Sequence, residues 1–387
     1  MPISAEHSQV YPVKNPRTHL PNSSSPSKRL PTMTGMISNT AVVVMGFLGM
    51  LYMATQLPPP QTSALPDDPS PTSPRIRLAD GRHLAYRESG VPKSRSKFKI
   101  IIVHGFGSSK EMSFHAPQEM IDELGIYFLL YDRAGYGDSD PNPKRSVKSE
   151  ALDIEELADQ LQLGSKFYVI GVSMGSYSTW SCIKYIPHRL AGVAFVVPVV
   201  NYRWPSFPDN LIKDDYRRKL VQSALWFAEY APGLLRWWVT QKWLPSTSVM
   251  ERNPVFFNTR DIDALKTAPG FPMLTKDKLR QRGVFDTLHN DFKAAFSHWD
   301  FDPMDLSNPF PQNQSAVHIW QGYEDKVVPF QLQRYISSKL PWIQYHEVPD
   351  GGHLIIHYAG LCEVILRTLL LGEESLHYKP ITAKTVS

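Results

Sequence analysis

The sequence has few cysteines and little net charge, and both shortages exclude classes of protein. Cys182 and Cys362 are the only cysteines in 387 residues, and the net charge is +4. The two cysteines form no C-x-x-C pair and no metal-ligand spacing, so we expect buried thiols and no metal site, while a disulfide between them stays open. A nucleic-acid-binding domain carries a basic surface. Most of the excess positive charge lies in the first 33 residues, so we expect no nucleic-acid partner for the folded part.

Long uncharged apolar runs are also rare, but one near the N-terminus is long enough to cross a bilayer. Residues 36–57 span 22 positions without a charged residue, and about 20 are needed. Prolines end the run, so we predict a single-pass transmembrane anchor, preceded by a disordered basic tail (1–35) and followed by a Pro/Ser-rich linker (58–74). A cleaved signal peptide is disfavoured because no A-x-A site follows. A buried or interfacial helix, or an organelle-targeting segment, stays open.

The charges that flank this run predict its orientation. Lys28 and Arg29 precede the run, whereas Asp67 and Asp68 follow it. By the positive-inside rule, the N-terminus faces the cytoplasm and the large domain lies on the non-cytoplasmic side. Asn313-Gln-Ser is a glycosylation acceptor pattern that can test this orientation.

From residue 75 onwards the sequence alternates between strand and helix patterns. Two alternating runs around Asp80-Gly81 predict a β-hairpin. Buried strands are predicted by continuous apolar runs at 98–105, 126–135, 166–173 and 190–200. Helices are predicted between them at 115–125, at 146–164 with Ser146 as N-cap and Gly164 as stop, and from 174 onwards. This order predicts an α/β fold with a mostly parallel central sheet flanked by helices, and a ligand site at the C-terminal ends of the strands.

A serine stands at the end of one predicted strand, in the stretch "GVSMG" over 171–175. The strand-to-helix context is that of a nucleophile elbow, in which Gly171 and Gly175 allow a sharp turn and close helix packing. The alternative, an ordinary helix-capping serine, fits this context less well. Ser173 is therefore the predicted nucleophile.

A serine hydroxyl needs a base and an acid that orients the base. The stretch 317–329 predicts a strand, a short loop that contains Asp325 and the start of a helix, and His353 follows the last predicted strand. We take these two as acid and base. Glu324 is the fallback acid, Asp350 is disfavoured because it shares a loop with the base, and His357 is interpreted as structural.

Two glycine-rich loops follow the first two buried strands. The N–H of Phe106 in "HGFGSS" and the N–H of Met174 are the predicted oxyanion hole. We interpret His104 as structural, and Asp132 and Arg133 in "YDRAGYGDSD" as residues that fix their loop. The second loop matches no phosphate-binding motif.

Together these motifs resemble the α/β-hydrolase family over about residues 75–372. Five motifs occur in the family's order: HGFG, DRAGYGDS, GVSMG, GYEDKVVP and GGH. The resemblance implies a catalytic triad of Ser173, Asp325 and His353. Because serine and not aspartate stands at the nucleophile position, the sequence departs from the epoxide-hydrolase and haloalkane-dehalogenase pattern. It is similar to membrane-anchored plant members of the family.

The segment from 201 to 308 interrupts the alternation, and the resemblance implies that it is a helical cap. The hydrolase core would then comprise 75–200 and 309–372, with a C-terminal tail over 373–387. Aromatic residues are concentrated in the cap: Tyr202, Trp204, Phe207, Trp226, Phe227, Tyr230, Trp237, Trp238 and Trp243. They form either an apolar roof over the substrate or the cap's own core.

The leading hypothesis is a serine hydrolase that cleaves an ester, thioester or amide of a partly apolar substrate, without a metal or organic cofactor. A small-molecule receptor or a catalytically weak protein of the same fold is an alternative, because fold does not fix function. An acyltransferase would use the same triad. The substrate, the organelle and the oligomeric state are not fixed by the sequence.

Overall fold

The computed structural model describes residues 73–234, 236, 256–267, 271–274, 278, 282–312, 316–374 and 376–379. The predicted tail, the apolar run at 36–57 and nearly all of the linker lie outside these residues. So do Asn313 and parts of the predicted cap and C-terminal tail. Within the described ranges, no helix combines the length and the apolar character that a membrane crossing requires.

Eight strands form one central sheet in the order β1-β2-β4-β3-β5-β6-β7-β8. They are β1 (Arg75–Arg77), β2 (His83–Gly90), β3 (Phe98–Val103), β4 (Ile126–Tyr131), β5 (Phe167–Val172), β6 (Leu190–Val196), β7 (Val317–Gly322) and β8 (Gln344–Val348). The β1–β2 and β2–β4 pairs are antiparallel, and every other neighbouring pair is parallel. The mostly parallel sheet predicted from the alternation is therefore confirmed.

Helices lie on both faces of this sheet and in the segment between β6 and β7. They are α1 (Gln118–Leu124), α2 (Val147–Gln160), α3 (Gly175–Tyr185), α4 (Asp209–Ile212), α5 (Tyr216–Tyr230), α6 (Thr259–Ala264), α7 (Arg282–Phe296), α8 (Phe330–Lys339) and α9 (Leu361–Leu371). One apolar cluster joins the sheet to α2, α3 and α8, and a second joins it to α1 and α9. Cys182 belongs to the first cluster and Cys362 to the second, and both are free buried thiols, so no disulfide joins them.

Helix α2 starts at the predicted N-cap but ends earlier than predicted. The Ser146 hydroxyl accepts the Ser149 N–H in a capping box. At the other end Gln162 has a φ of 56°, and the Gln162 and Leu163 N–H groups bond back to Asp159 and Ala158. This is a Schellman motif. The helix therefore ends at Gln160 and not at Gly164, because a glutamine adopts the left-handed conformation.

Between β6 and β7 the described residues form the helices α4 to α7 and no strand. Tyr202, Trp204 and Phe207 are buried here, and Trp204 stacks on Phe207 with ring centroids 5.6 Å apart. Trp226 and Tyr230 are exposed. Trp237, Trp238 and Trp243 lie outside the described residues.

Candidate active site

Ser173 occupies a sharp turn between β5 and α3. Its φ is 50°, a left-handed conformation that non-glycine residues rarely adopt. A Cβ at Gly171 would lie 2.1 Å from Oγ1 of Thr179, and a Cβ at Gly175 would lie 2.2 Å from the carbonyl oxygen of Val103. Helix α3 thus packs against β3 and β5 too closely for any side chain at these two positions. This packing holds the serine in its strained conformation.

The structure brings the three predicted triad residues into one line of hydrogen bonds. Ser173 Oγ lies 2.9 Å from His353 Nε2, and His353 Nδ1 lies 2.9 Å from Asp325 Oδ2. A carboxylate only accepts hydrogen bonds, so Nδ1 carries the imidazole proton and Nε2 accepts from the serine hydroxyl. This is the tautomer that a general base for the serine requires.

The Asp325 carboxylate is buried and has several hydrogen-bond donors. Oδ1 accepts the Val327 and Val328 N–H groups at 2.8 and 2.9 Å, and Oδ2 accepts Gln321 Nε2 at 2.9 Å in addition to His353. These bonds fix the oxygen that faces the imidazole.

The two alternative acids point elsewhere. Glu324 is exposed and accepts a hydrogen bond from Asn258, and Asp350 is exposed and pairs with Arg260. Neither carboxylate bonds to His353 among the described residues, which leaves Asp325 as the carboxylate partner of the imidazole ring.

Carboxylates near His353 favour its charged form. Burial alone would lower the pKa of the imidazole, but the charges of Asp325 and Asp261 outweigh burial and raise the pKa above its ordinary value. A raised pKa makes the imidazole a stronger base and stabilises the imidazolium that forms when it takes a proton.

The predicted oxyanion donors lie beside the serine. Phe106 lines the same cleft as Ser173, and a Cβ on Gly105 would come within 3.2 Å of the serine Cβ. In the described part of the chain, the N–H groups of Phe106 and Met174 donate to no backbone oxygen. Both groups are therefore available as donors, and their role stays a prediction.

A cleft of about 570 Å³, counting space open to solvent, adjoins Ser173 and His353. Its lining is mainly apolar and includes Phe106, Met112, Val172, Leu265, Phe271, Leu354 and Ile356. None of the described aromatic residues predicted for a roof is among the lining residues. Tyr202, Trp204 and Phe207 pack in the core instead, and the lining residues that come from the segment between β6 and β7 are Leu265 and Phe271.

His357, interpreted from the sequence as structural, also lines this cleft. Burial and the nearby charge of His115 lower the pKa of His357 to about 4, so its ring is neutral at neutral pH. A neutral imidazole offers the cleft one donor and one acceptor.

His104 and Asp132, which are predicted to fix the two glycine-rich loops, each form hydrogen bonds with residues in or next to those loops. Burial and Arg133 hold the pKa of His104 well below its ordinary value. The neutral ring lies 2.8 Å from the Gly105 oxygen and accepts the Arg133 N–H at 3.1 Å. Asp132 accepts both the backbone N–H and the ammonium group of Lys110.

With this geometry in view, comparison with known proteins settles the family. The sequence profile of the alpha/beta hydrolase family matches residues 100–362. The chain belongs to this family. The resemblance inferred from the five motifs is confirmed, and membership supports a hydrolase activity.

Individual relatives of this α/β-hydrolase are distant. "Probable lysophospholipase BODYGUARD 2" from Arabidopsis thaliana is 23% identical over 280 residues, which cover 68% of this chain and 57% of that protein. The chain thus spans a little over half the length of this curated relative.

Solved structures share the fold. An α/β-hydrolase enzyme from a Medee basin deep-sea metagenome library has 17% identity and a TM-score of 0.55, covering 79% of this chain and 100% of that one. The enol-lactonase from Burkholderia xenovorans LB400 has 16% identity and a TM-score of 0.53, covering 76% and 99%. At these identities the likeness concerns the fold alone.

Sequence reasoning missed two buried carboxylates that come from the segment between β6 and β7. Asp261 in α6 accepts the backbone N–H of His353, and Asp291 in α7 forms two hydrogen bonds with the Arg133 guanidinium. Both are fully buried. No motif marks either residue, because each meets a partner that is distant in sequence.

Proposed function

We propose that this α/β-hydrolase is a serine hydrolase that cleaves a carboxylic ester of a partly apolar substrate. The observation that carries the proposal is the hydrogen-bonded line Ser173–His353–Asp325 at the edge of an apolar cleft. The strained serine and the raised pKa of the histidine both favour nucleophilic attack. A thioester or an amide would be cleaved by the same residues.

In the proposed reaction, Ser173 Oγ attacks the substrate carbonyl while His353 Nε2 takes the hydroxyl proton. Asp325 holds the imidazole tautomer and stabilises the imidazolium. The N–H groups of Phe106 and Met174 bind the developing oxyanion, where a single donor contributes about 3–4 kcal/mol in other enzymes. His353 then protonates the leaving alcohol and activates the water that hydrolyses the acyl-enzyme.

The substrate class is proposed from the cleft and from the relative. An apolar lining favours an acyl chain or another apolar group next to the scissile carbonyl. The Arabidopsis relative carries the name of a lysophospholipase, so lysophospholipids and esters of graded acyl length are the first substrates to test. Competition between water and added alcohols in the same assay distinguishes hydrolysis from acyl transfer.

A fluorophosphonate probe tests the chemistry before the substrate is known. We expect the wild-type chain to be labelled and the Ser173→Ala and His353→Ala variants not to be. Ser178→Ala is a matched control, because this serine is buried in α3 and bonds to Glu150 away from the histidine. Labelling that persists in Ser173→Ala, or a folded wild type that is never labelled, would refute the proposal.

The membrane anchor at 36–57 is part of the proposal and has its own test. With the domain on the non-cytoplasmic side, Asn313 should carry a glycan, and Asn313→Gln should abolish the mass shift seen on glycosidase treatment. If the domain carries no glycan and is digested by a protease added from the cytosolic side, the proposed orientation is wrong. If carbonate alone extracts the protein, residues 36–57 do not span the membrane.

A further inference from the structure

A carboxylate from the segment between β6 and β7 binds the backbone of the loop that carries His353. Asp261 Oδ2 accepts the N–H of His353, and Oδ1 accepts the N–H of Leu354, each at 2.8 Å. The Asp261 side chain is fully buried. Charge-assisted bonds of this kind are about twice as strong as neutral ones and are directional.

Two neighbouring side chains complete the arrangement. The Tyr358 hydroxyl lies 3.0 Å from Asp261 Oδ1 and accepts the Gly352 N–H at 3.1 Å. Asn258 accepts the Asp261 N–H at 2.8 Å and donates to the Asp350 carbonyl oxygen at 3.1 Å. The three consecutive N–H groups from 352 to 354 therefore all have partners in this cluster.

The contact between carboxylate and loop is close enough to fix the loop's position. A Cβ at Gly352 would lie 2.0 Å from Asp261 Oδ2, so the loop backbone lies directly against the carboxylate. A shift of the loop toward α6 is blocked by contact, and a shift away breaks two hydrogen bonds.

The charges around His353 come from two different elements. Asp325 lies in the loop after β7 and faces Nδ1 of the His353 ring. Asp261 lies in α6 and faces the backbone N–H of His353. The uncharged Ser173 hydroxyl faces Nε2. Burial raises the pKa of Asp261, while the Leu354 and His353 N–H groups oppose this effect. Arg260 lies 4.2 Å over the Tyr358 ring.

We infer that Asp261 is a positioning residue for the proposed base: its carboxylate holds the His353 loop so that Nε2 faces Ser173 Oγ. The inference rests on the proposed function and deepens it. A segment inserted between two strands of the core thus determines where the catalytic imidazole stands.

The test compares Asp261→Asn with Asp263→Asn in the full-length chain. An asparagine at 261 has one oxygen and would turn an NH₂ group toward a backbone N–H. Asp263 is the matched control because it lies in the same helix, is 60% exposed at its side chain and pairs with Lys266. The readouts are the rate of fluorophosphonate labelling against pH, the His353 ring titration by ¹³C NMR, and thermal unfolding.

We expect Asp261→Asn to slow labelling by roughly 10²-fold, the effect of a misplacement of about 1 Å. Loss of the negative charge should also move the His353 titration and the acid limb of labelling to lower pH. Asp263→Asn should leave all three readouts unchanged. A folded Asp261→Asn with wild-type labelling and titration, or with a lowered melting temperature as its only change, would overturn the inference.

Tyr358→Phe decides the question if Asp261→Asn does not fold. This variant removes one hydrogen-bond donor to Asp261 and the acceptor for the Gly352 N–H, but it keeps the negative charge of Asp261. Labelling should therefore slow several-fold while its pH midpoint stays unchanged. An unchanged labelling rate would overturn the inference. The NMR titration reports on His353 in any folded variant. Failure of the proposed function, seen as labelling of Ser173→Ala, is therefore distinguishable from failure of this inference.

Discussion

Replacing Asp291 by alanine should destabilise the protein severely, because this carboxylate neutralises buried guanidinium groups. Its two oxygens accept Arg133 Nη1 and Nη2 at 2.6 and 2.8 Å, and Arg145 Nη2 lies 3.0 Å from Oδ1. Tyr177 donates to the same carboxylate at 2.7 Å. Both arginines and Asp291 are almost completely buried. These charges lower the pKa of Asp291 despite its burial.

The size of the effect follows from the charge balance of the cluster. Arg133 and Arg145 are opposed by Asp291 and Glu150, and Glu150 lies 2.8 Å from Arg145 but 3.9 Å from Arg133. Asp291→Ala leaves Arg133 without a carboxylate closer than Glu150, and breaking a buried ion pair in this way costs about 3–5 kcal/mol. The melting temperature should fall on the order of 5–15 °C in a domain of this size.

Thermal unfolding followed by circular dichroism measures this effect in the full-length chain. Asp209→Asn, at an aspartate in α4 whose side chain is 88% exposed, should melt like the wild type. The double variant Arg133→Met/Asp291→Leu should recover part of the loss, because replacing both partners by apolar groups removes the unpaired charge. An Asp291→Ala protein that melts within about 2 °C of the wild type would refute the reasoning.

Two further predictions concern the elbow and the base. Gly175→Ala should cost about 1–3 kcal/mol by overpacking and should slow fluorophosphonate labelling, because the new Cβ meets the Val103 carbonyl 2.2 Å away. Gly283→Ala, with no atom within 4 Å of the added Cβ, should leave labelling unchanged; equal effects of the two would contradict the packing argument. The labelling rate should rise with pH through a midpoint above 6.5, because the charges of Asp325 and Asp261 outweigh burial and raise the pKa of His353. Asp325→Asn should move that midpoint to lower pH and slow labelling, and a wild-type midpoint at or below 6.5 would show that burial dominates.

Motifs at the ends of parallel strands allowed the sheet and the line of three side chains to be predicted. Ser173 follows β5, Asp325 follows β7 and His353 follows β8, and the C-terminal ends of parallel strands meet at one edge of a sheet. Placing these three residues directly after parallel strands therefore also predicted that their side chains lie close together. The glycines at 171 and 175 added a local steric requirement that can be read from the sequence.

The contacts made by the segment between β6 and β7 could not be predicted in this way. Asp261 is 92 residues from His353, and Asp291 is 158 residues from Arg133. Neither lies at a strand end, and aspartates on helices are usually solvent-exposed. The aromatic residues left two alternatives open, because packing in a core and lining a cleft require the same kinds of side chain. Only the tertiary arrangement separates Trp204, which stacks in the core, from Phe271, which faces the cleft.

The two buried carboxylates explain how helices with apolar faces can meet the loops after β4 and β8 in one defined position. Hydrophobic contact is non-directional and tolerates sliding, whereas a carboxylate that accepts two N–H groups fixes both distance and angle. Asp291 makes such a contact with the Arg133 guanidinium next to helix α3, and Asp261 makes one with the backbone of the loop that carries His353. Apolar burial therefore supplies most of the cohesion of this α/β-hydrolase, and the buried charges define the geometry on which the proposed chemistry depends.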